Sequence, residues 1–294
     1  MPRYRPSRLL QRCVVIAILA VTSATLLSAH DFWLVPDAFA VTPGGRMALS
    51  GQTSSLFPTS LSAVTPDRIV AARVVTADTV VDVTSVSISG VSLRLGYRPA
   101  KAGQQLIGVQ LAPRTVRESP ASFKRYLDLE GAPEARERYE REGLLPADAK
   151  DSLTRRYAKY AKTIVEVGRG ARAYASALGH PLEFMPLDDP SALHVGDTLH
   201  VRMVMLGHAV SNGRIHFGSV PRGATALRDT SAARRAASQD VSGTTDADGH
   251  AAVVITRAGL WNLRTIQIVP APRGSGADWD VHWATMVFAV ADRR

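Results

Sequence analysis

The residues best suited to chemistry lie in segment 29–34, which reads AHDFWL. The preceding residues have the form of an export signal that a peptidase would remove after Ala29. His30 would then be the first residue, and its α-amino group and imidazole would offer two nitrogen ligands. One further imidazole would complete a nitrogen site suited to copper, or to nickel in a square-planar arrangement. The alternative is a terminal histidine that is packed or solvated without metal. In either case Phe32 and Trp33 are expected to anchor this end of the chain in a core.

The second imidazole would have to come from a histidine further along the chain. None of these shows the HxxxH spacing of a helical metal site. We take His282, which lies between Trp279 and Trp283 on a predicted strand, as the candidate ligand. Its alternative role is that of a structural histidine in or beside the core. Any of the other histidines could also supply the second imidazole: His180, His194, His200, His208, His216 and His250.

Two of these histidines flank a turn signal. His208 and His216 lie on either side of Ser211-Asn212-Gly213, which predicts a hairpin that would bring their strands together. They could pair across it, and the alternative is two exposed histidines near a loop. His200 is out of phase with the apolar alternation of its strand, and His250 follows a turn glycine, so both are predicted to face solvent.

Other familiar chemistry is weakly represented. Asp246 and Asp248 lack the remaining oxygen ligands of a calcium loop and predict a hairpin turn. Asp188-Asp189 precedes a proline, which favours turn formation over paired catalysis. The four tryptophans are expected in the core or at sheet edges. With no phosphate loop or nucleophile elbow, we expect no enzyme. The enzymatic alternative is a copper oxygenase with His30 as half of a histidine brace.

Composition is that of a globular chain. The 294 residues are 46% hydrophobic, and removing the four arginines of residues 1–29 lowers the formal charge from +9 to +5. Basic residues alternate with acids rather than forming a stripe with aromatics, so nucleic acid is not an expected partner. The one cysteine, Cys13, lies within the apolar run of the signal. The mature chain would have no disulfide and no thiolate ligand.

Residues 1–29 are predicted to be a signal peptide. A basic start is followed by an apolar run over 13–27 and by Ser28-Ala29. This run is short for a spanning helix, so cleavage is favoured over an uncleaved anchor. The mature protein is therefore expected to be soluble in the periplasm.

The rest of the chain predicts a mainly β fold with two sandwich domains of immunoglobulin-like or transthyretin-like type. Short β-branched runs separated by turns place an N-terminal sandwich at 30–118 and a C-terminal immunoglobulin-like sandwich at 163–294. A short helical insertion at 119–162 joins them. It begins with an N-cap and proline at Ser119-Pro120 and continues as a charged helix over 133–142.

The insertion is extended to residue 162 by a further apolar pattern. Leu153, Tyr157, Tyr160, Ala161 and Ile164 follow one another at mostly three- and four-residue steps. This spacing favours one more helix.

Several motifs resemble a known family. They are HDFW at 30–33, PGG at 43–45, YAKTIVEVG at 160–168, LGHPLEFMPLDDPSALHVGD at 178–197, TDADGHA at 245–251, GLWNLR at 259–264 and DWDVHWATMVFAV at 278–290. The chain resembles a bacterial periplasmic family of unknown function once labelled NikM-like, after nickel uptake. The resemblance implies an exported protein with β-sandwich domains, and its label implies metal handling. Relatives often carry a charged residue or histidine where this chain has Gln52, so only His30 is carried over as a ligand.

These observations lead to one expected function and one alternative. The first is a periplasmic accessory protein that binds nickel, cobalt or copper through His30 for uptake or delivery, with a membrane metal transporter or receptor as partner. The alternative is a non-catalytic envelope module that binds a protein or a carbohydrate. Fold alone does not distinguish the two.

Overall fold

The computed structural model describes residues 30–130, 132–145, 152–221 and 241–291. The predicted signal peptide, residues 1–29, lies outside these ranges. The chain divides into two units after His30, and the second of them is Asp31–Arg294. Within the four described ranges, no helix is both long and apolar enough to cross a membrane.

Most of the second unit is β-strand. The strands are β1 (Asp31–Pro36), β2 (Ala40–Val41), β3 (Met47–Ser54), β4 (Ile69–Val75), β5 (Val80–Asp82), β6 (Ser85–Ser89), β7 (Ser92–Tyr97), β8 (Gly103–Leu111), β9 (Arg114–Glu118), β10 (Leu153–Val167), β11 (Leu182–Pro186), β12 (Thr198–Met205), β13 (His208–Ala209), β14 (Arg214–Val220), β15 (Val241–Thr244), β16 (His250–Val254), β17 (Gly259–Pro270) and β18 (Trp279–Val290). The helices are α1 (Pro120–Leu129) and α2 (Pro133–Arg141), and Pro66–Arg68 forms a 3₁₀ turn.

A ten-stranded sheet is the centre of the second unit. Its order is β15-β14-β17-β18-β10-β8-β4-β5, and β2 and β9 also pair with β10. One four-stranded sheet has the order β1-β3-β7-β6, and another contains β11, β12, β13 and β16. The β10–β18 and β10–β2 pairs are parallel.

The two smaller sheets pack on opposite faces of the central sheet. Successive side chains of a strand point to opposite faces. On β10, Ala161 and Val165 enter the core formed with the β1 sheet, whereas Tyr160 and Ile164 enter the core formed with the β11 sheet. The mainly β class and the sandwich packing are therefore confirmed. The central sheet takes strands from both predicted sandwich segments.

The first two predicted helices are present. Ser119 caps α1 by accepting a hydrogen bond from the Ser122 N–H at 3.2 Å, and Pro120 occupies the first turn. Phe123 and Leu127 from α1 and Tyr139 from α2 are buried over the β17–β18 part of the central sheet. The capping residue and the proline were sufficient to predict the start of α1, because a helix start is determined by a few neighbouring residues.

The helix predicted from Leu153 onward is wrong. These residues form β10, which pairs with β8, β9 and β18. All residues from Tyr157 to Val165 are buried, because both faces of this strand are covered. A strand buried on both faces does not alternate between apolar and polar residues, so its apolar positions can match helical spacing by chance.

Residues 211 and 212 form the predicted turn, with a positive φ angle at Asn212, but this turn does not close a hairpin. The hairpin turn lies instead at Leu206 and Gly207, between β12 and β13, and both residues have positive φ angles. The next strand, β14, leaves that sheet and pairs with β15 and β17. His208 and His216 therefore belong to different sheets and do not pair across a turn.

Candidate functional site

The start of β1 is firmly anchored. All six residues of the strand are buried, and β1 packs against β10 and β18. The Trp33 Nε1–H donates to Gln52 Oε1 at 3.2 Å, and Thr285 Oγ1 donates to the Phe32 carbonyl at 2.6 Å. The expectation that Phe32 and Trp33 anchor this end in the core is confirmed. His30 directly precedes this strand in the chain.

The first residue of β1 lies in a group of buried charges. Asp31 is 4% exposed, and its Oδ2 lies 3.7 Å from Arg264 Nη1. Burial raises the pKa of Glu130 to about 7, and the Asp31 carboxylate adds to this effect. Burial lowers the pKa of Lys159 to about 8, although Asp31 opposes the shift. The Asp31 carboxylate at the start of β1 thus lies near Arg264 and interacts electrostatically with Glu130 and Lys159.

His216 lies on the same face of the central sheet. It is directly opposite Arg264 in the β14–β17 register, and Arg264 is in turn opposite Thr285 of β18. Burial, together with Arg264 and Arg214, lowers the pKa of His216 to about 4, so its imidazole is neutral at pH 7. The sequence pattern predicts for this residue a pairing with His208 across a turn, or one of several possible second ligands for a metal.

His216 and Asn262 each contribute a buried polar atom to this face. Among the described residues, His216 Nε2 and Asn262 Oδ1 are buried and accept or donate no hydrogen bond. Asn262 lies directly opposite Gly218, which is two residues along β14 from His216. The side chains of Asn262 and His216 are therefore diagonal neighbours on one face of the sheet. A buried polar group without a partner costs about 1–3 kcal/mol.

The predicted ligand His282 faces the other way. It alternates with Trp283 and Thr285 on β18, and it points to the face that packs on the β11 sheet. Its Nδ1 lies 2.9 Å from the Tyr160 hydroxyl, and the two rings are stacked. Burial lowers the pKa of His282. Its imidazole therefore points away from the face on which β1 lies.

A buried ion pair lies on the same face as His282. Lys162 Nζ is 3.0 Å from Glu183 Oε1, and both side chains are 2% exposed. Glu183 also accepts hydrogen bonds from the N–H groups of Leu178 and Gly179. This pair joins β10 to β11, and sequence reasoning missed it. The available signal was Glu183 within the otherwise uncharged segment LEFMP, whereas Lys162 is one of several charged residues in β10.

His180 packs close to this ion pair. A Cβ atom at position 108 would lie 2.9 Å from His180 Cε1, so Gly108 leaves the space that the ring occupies. Burial lowers the pKa of His180 from 6.5 to about 4, although the Glu183 carboxylate opposes the shift.

The pKa of His180 predicts a loss of stability in acid. The unfolded chain binds a proton more readily at this residue, so the free energy of unfolding should fall as the pH drops from about 6.5 to about 4. In His180→Gln this fall should be smaller. Urea unfolding across this pH range measures the effect, and parallel profiles for the two proteins would contradict it.

The remaining histidines lie at the surface. His194, His208, His200 and His250 are exposed, which confirms the prediction for the last two. His200 Nδ1 lies 2.7 Å from Asp188 Oδ2. Within the ranges that the structure describes, no three histidine, cysteine, aspartate or glutamate side chains form a metal-binding group.

The paired aspartates have local structural roles. Asp188 accepts a hydrogen bond from the His200 N–H, whereas Asp189 accepts one from the Ser191 N–H. Asp246 Oδ1 accepts from the N–H groups of Asp248 and His250, which confirms the turn predicted there. All four tryptophans are buried, as expected for core residues: Trp33, Trp261, Trp279 and Trp283.

Comparison with solved structures gives distant likenesses. A DUF4785 family protein from Legionella pneumophila shares 6% identity with a TM-score of 0.24, over 78% of this chain and 51% of that one. The Escherichia coli adhesin FdeC shares 12% sequence identity with a TM-score of 0.24, over 90% of this chain and 65% of the adhesin chain. Murine CEACAM1b shares 6% sequence identity with a TM-score of 0.21, over 90% of this chain and 100% of the CEACAM1b chain. This chain thus spans about half of the Legionella protein.

Sequence comparison identifies the family. No curated protein matches the chain. The profile of DUF4198, described as a domain of unknown function, matches residues 27–268. This range begins before the HDFW motif and extends into β17. The chain belongs to the DUF4198 family.

Proposed function

We propose that this protein is an exported accessory protein that binds a transition-metal ion, nickel, cobalt or copper, through the mature N-terminal residue His30. Its α-amino group and imidazole would supply two nitrogen ligands once the signal is removed after Ala29. The protein catalyses no reaction in this proposal. The earlier NikM-like label of similar proteins agrees with metal handling in the periplasm.

One observation carries the proposal. The strand that follows His30 is buried along all six residues, and it is held by Trp33 in the core and by the Thr285 hydrogen bond. A chelating N-terminus needs such support, because ligands on a frayed terminus lose affinity to conformational entropy. Consecutive Cα atoms are about 3.8 Å apart, and His30 is bonded directly to Asp31, the first residue of this buried strand.

The proposal is tested by moving the N-terminus by one residue. The full chain is exported from a bacterial host, with and without an alanine inserted between Ala29 and His30. Native mass spectrometry of the periplasmic protein should give a mass that begins at His30 and includes one metal ion. The extended protein should bind copper(II) or nickel(II) at least about tenfold more weakly.

A matched control separates chelation from a general effect of the insertion. His30→Gln keeps the length and the amine but removes the imidazole, so it should also weaken binding. Equal metal affinity in all three proteins would contradict the proposal, and so would a mature mass that begins elsewhere.

The alternative proposal is an envelope interaction module. It is favoured by β5, which is the last strand of the central sheet and exposes 63% of Val80. An exposed edge strand can accept a strand of another protein. A membrane metal transporter or receptor would suit both proposals. Retention of the partner by protein without metal would favour the interaction module alone.

A further inference from the structure

We propose that strand β6 is a self-association edge, at which two copies of this protein pair antiparallel about a two-fold axis at Ser87. The pairing would join the β1-β3-β7-β6 sheets of the two copies into one continuous sheet. This inference goes beyond the proposed function, because no part of it depends on a metal ion or on His30.

The first argument is that β6 has an open edge. It is the last strand of its sheet, and among the described residues β7 is the one strand that pairs with it. The β6–β7 register has no bulge, and Ser89 is opposite Ser92 across the turn at Gly90-Val91. The residues that flank a two-residue turn bond to each other, and bonded pairs then alternate along the strand. The N–H and C=O groups of Val86 and Ile88 therefore point away from β7.

The second argument is that this edge lacks the usual protection against pairing. Exposed edges are commonly protected by charged residues, prolines or bulges. Residues 83–93 contain no charged residue and no proline, and every residue of β6 except Val86 is exposed. By contrast, β5 at an edge of the central sheet carries Asp82 opposite Arg73. The backbone of β6 is thus open to another strand.

The third argument identifies a second copy as the occupant. Along β6, Ser85, Ser87 and Ser89 alternate with Val86 and Ile88, so the pattern is the same in both directions. An antiparallel pair centred on Ser87 places Val86 of each copy opposite Ile88 of the other. Their outward backbone groups then face each other and form about four hydrogen bonds. A two-fold interface requires such self-complementarity, and no like charges meet along this edge although the chain as a whole is basic.

Exposed aliphatic side chains at the same edge favour pairing. Successive side chains of a strand point to opposite faces, so Val86 and Ile88 share a face, and Val86 packs against the core beneath it. Ile88 is nevertheless 47% exposed. Ser60 Oγ donates to the Val91 carbonyl at 2.6 Å, which places the exposed side chains of Val91 and Leu61 at the turn end of β6. Removing such apolar surface from water would stabilise the pair.

The association should be reversible, because a short strand forms a small interface of the kind found in transient complexes. In sedimentation equilibrium of the full exported chain, the average mass should rise towards twice that of one copy as concentration increases. Ile88→Lys places a charge within the pair and should shift this rise to at least about tenfold higher concentration. Val80→Lys, at an exposed position on β5, is the matched control and should associate like the wild type. Circular dichroism would verify that both variants are folded.

A disulfide trap tests the register. With the axis at Ser87, the Ser87 residues of the two copies are directly opposite each other in a pair without backbone hydrogen bonds. The Cα atoms of such a pair are about 4.5 Å apart, which a disulfide can span. Ser87→Cys should therefore form a disulfide-linked dimer on oxidation with diamide. Ser85→Cys is the matched control, since Ser85 is exposed on the same face but lies opposite Ser89 of the other copy, and it should stay monomeric on a non-reducing gel.

Three results would overturn the inference. The first is wild-type protein that stays monomeric at every concentration, and the second is equal cross-linking by the two cysteine variants. The third is a disulfide between the Ser87→Cys protein and another periplasmic protein, which would mean that β6 serves a different partner. None of these results bears on metal binding, which the comparison with His30→Gln tests separately.

Discussion

Glu183→Ala is expected to lower the free energy of unfolding by about 3–5 kcal/mol, because the Lys162 ammonium would remain buried without its carboxylate. Both side chains are 2% exposed and lie 3.0 Å apart. The substitution also removes the acceptor for the N–H groups of Leu178 and Gly179. Urea unfolding at pH 7 measures the loss, and β11 should be the first strand to lose protection from hydrogen exchange.

A double variant tests the origin of this effect. Lys162→Met combined with Glu183→Leu removes both charges and keeps similar volumes, so it should be less destabilised than either single variant. If the double variant instead loses the sum of the two single effects, the cost comes from packing and not from an unpaired charge.

The ion pair should also contribute to acid sensitivity. Burial raises the pKa of Glu183, but the Lys162 ammonium and the Leu178 N–H outweigh it, and the pKa ends below its ordinary 4.5. A lowered pKa means that the stabilisation is present above about pH 4.5 and is lost as the pH falls through the folded pKa. Below that pH, the difference in stability between Glu183→Ala and the wild type should shrink.

Trp33→Ala is expected to cost about 3–5 kcal/mol, the range for removing a large aromatic side chain from a core. Trp33 is 1% exposed, and its ring contacts Phe57 edge-on with centroids 5.3 Å apart. Its N–H would no longer pair with Gln52. In the proposed function, β1 directly follows the metal-binding residue His30, so this variant should then also weaken metal binding. Thermal unfolding and copper(II) titration measure the two effects.

Two controls define how this result is interpreted. Trp33→Phe keeps an aromatic ring and should retain most of the stability. Val80→Ala, at a position that is 63% exposed, should change stability by less than about 0.5 kcal/mol. A loss below about 1 kcal/mol in Trp33→Ala would mean that β1 is held by other contacts.

Many local elements could be predicted from the sequence. The helix after Ser119 has the predicted position, the turn predicted at Asp246 and Asp248 is present, and short β-branched runs such as Ile69–Val75 form strands. These features depend on β-branched runs, a cap and a turn residue. Such signals act over a few residues and are visible in a single sequence.

Long-range pairing could not be predicted in the same way. The apolar pattern of β10 indicates a helix because both faces of the strand are buried, and its parallel partner β18 lies far along the chain. The ion pair between Arg156 and Asp280 spans 124 residues. No local pattern determines which strands become neighbours when the intervening segment can close in several ways.

For the candidate site, too, local sequence predicts some features and only the tertiary structure determines the others. Residue types and chain neighbours were enough to predict the mainly β class, the anchoring of Phe32 and Trp33, and the chemical case for His30. The folded arrangement was needed to show that His216, not His282, shares a face with β1. That difference depends on strand register across three strands, where a shift of one residue would reverse every side chain.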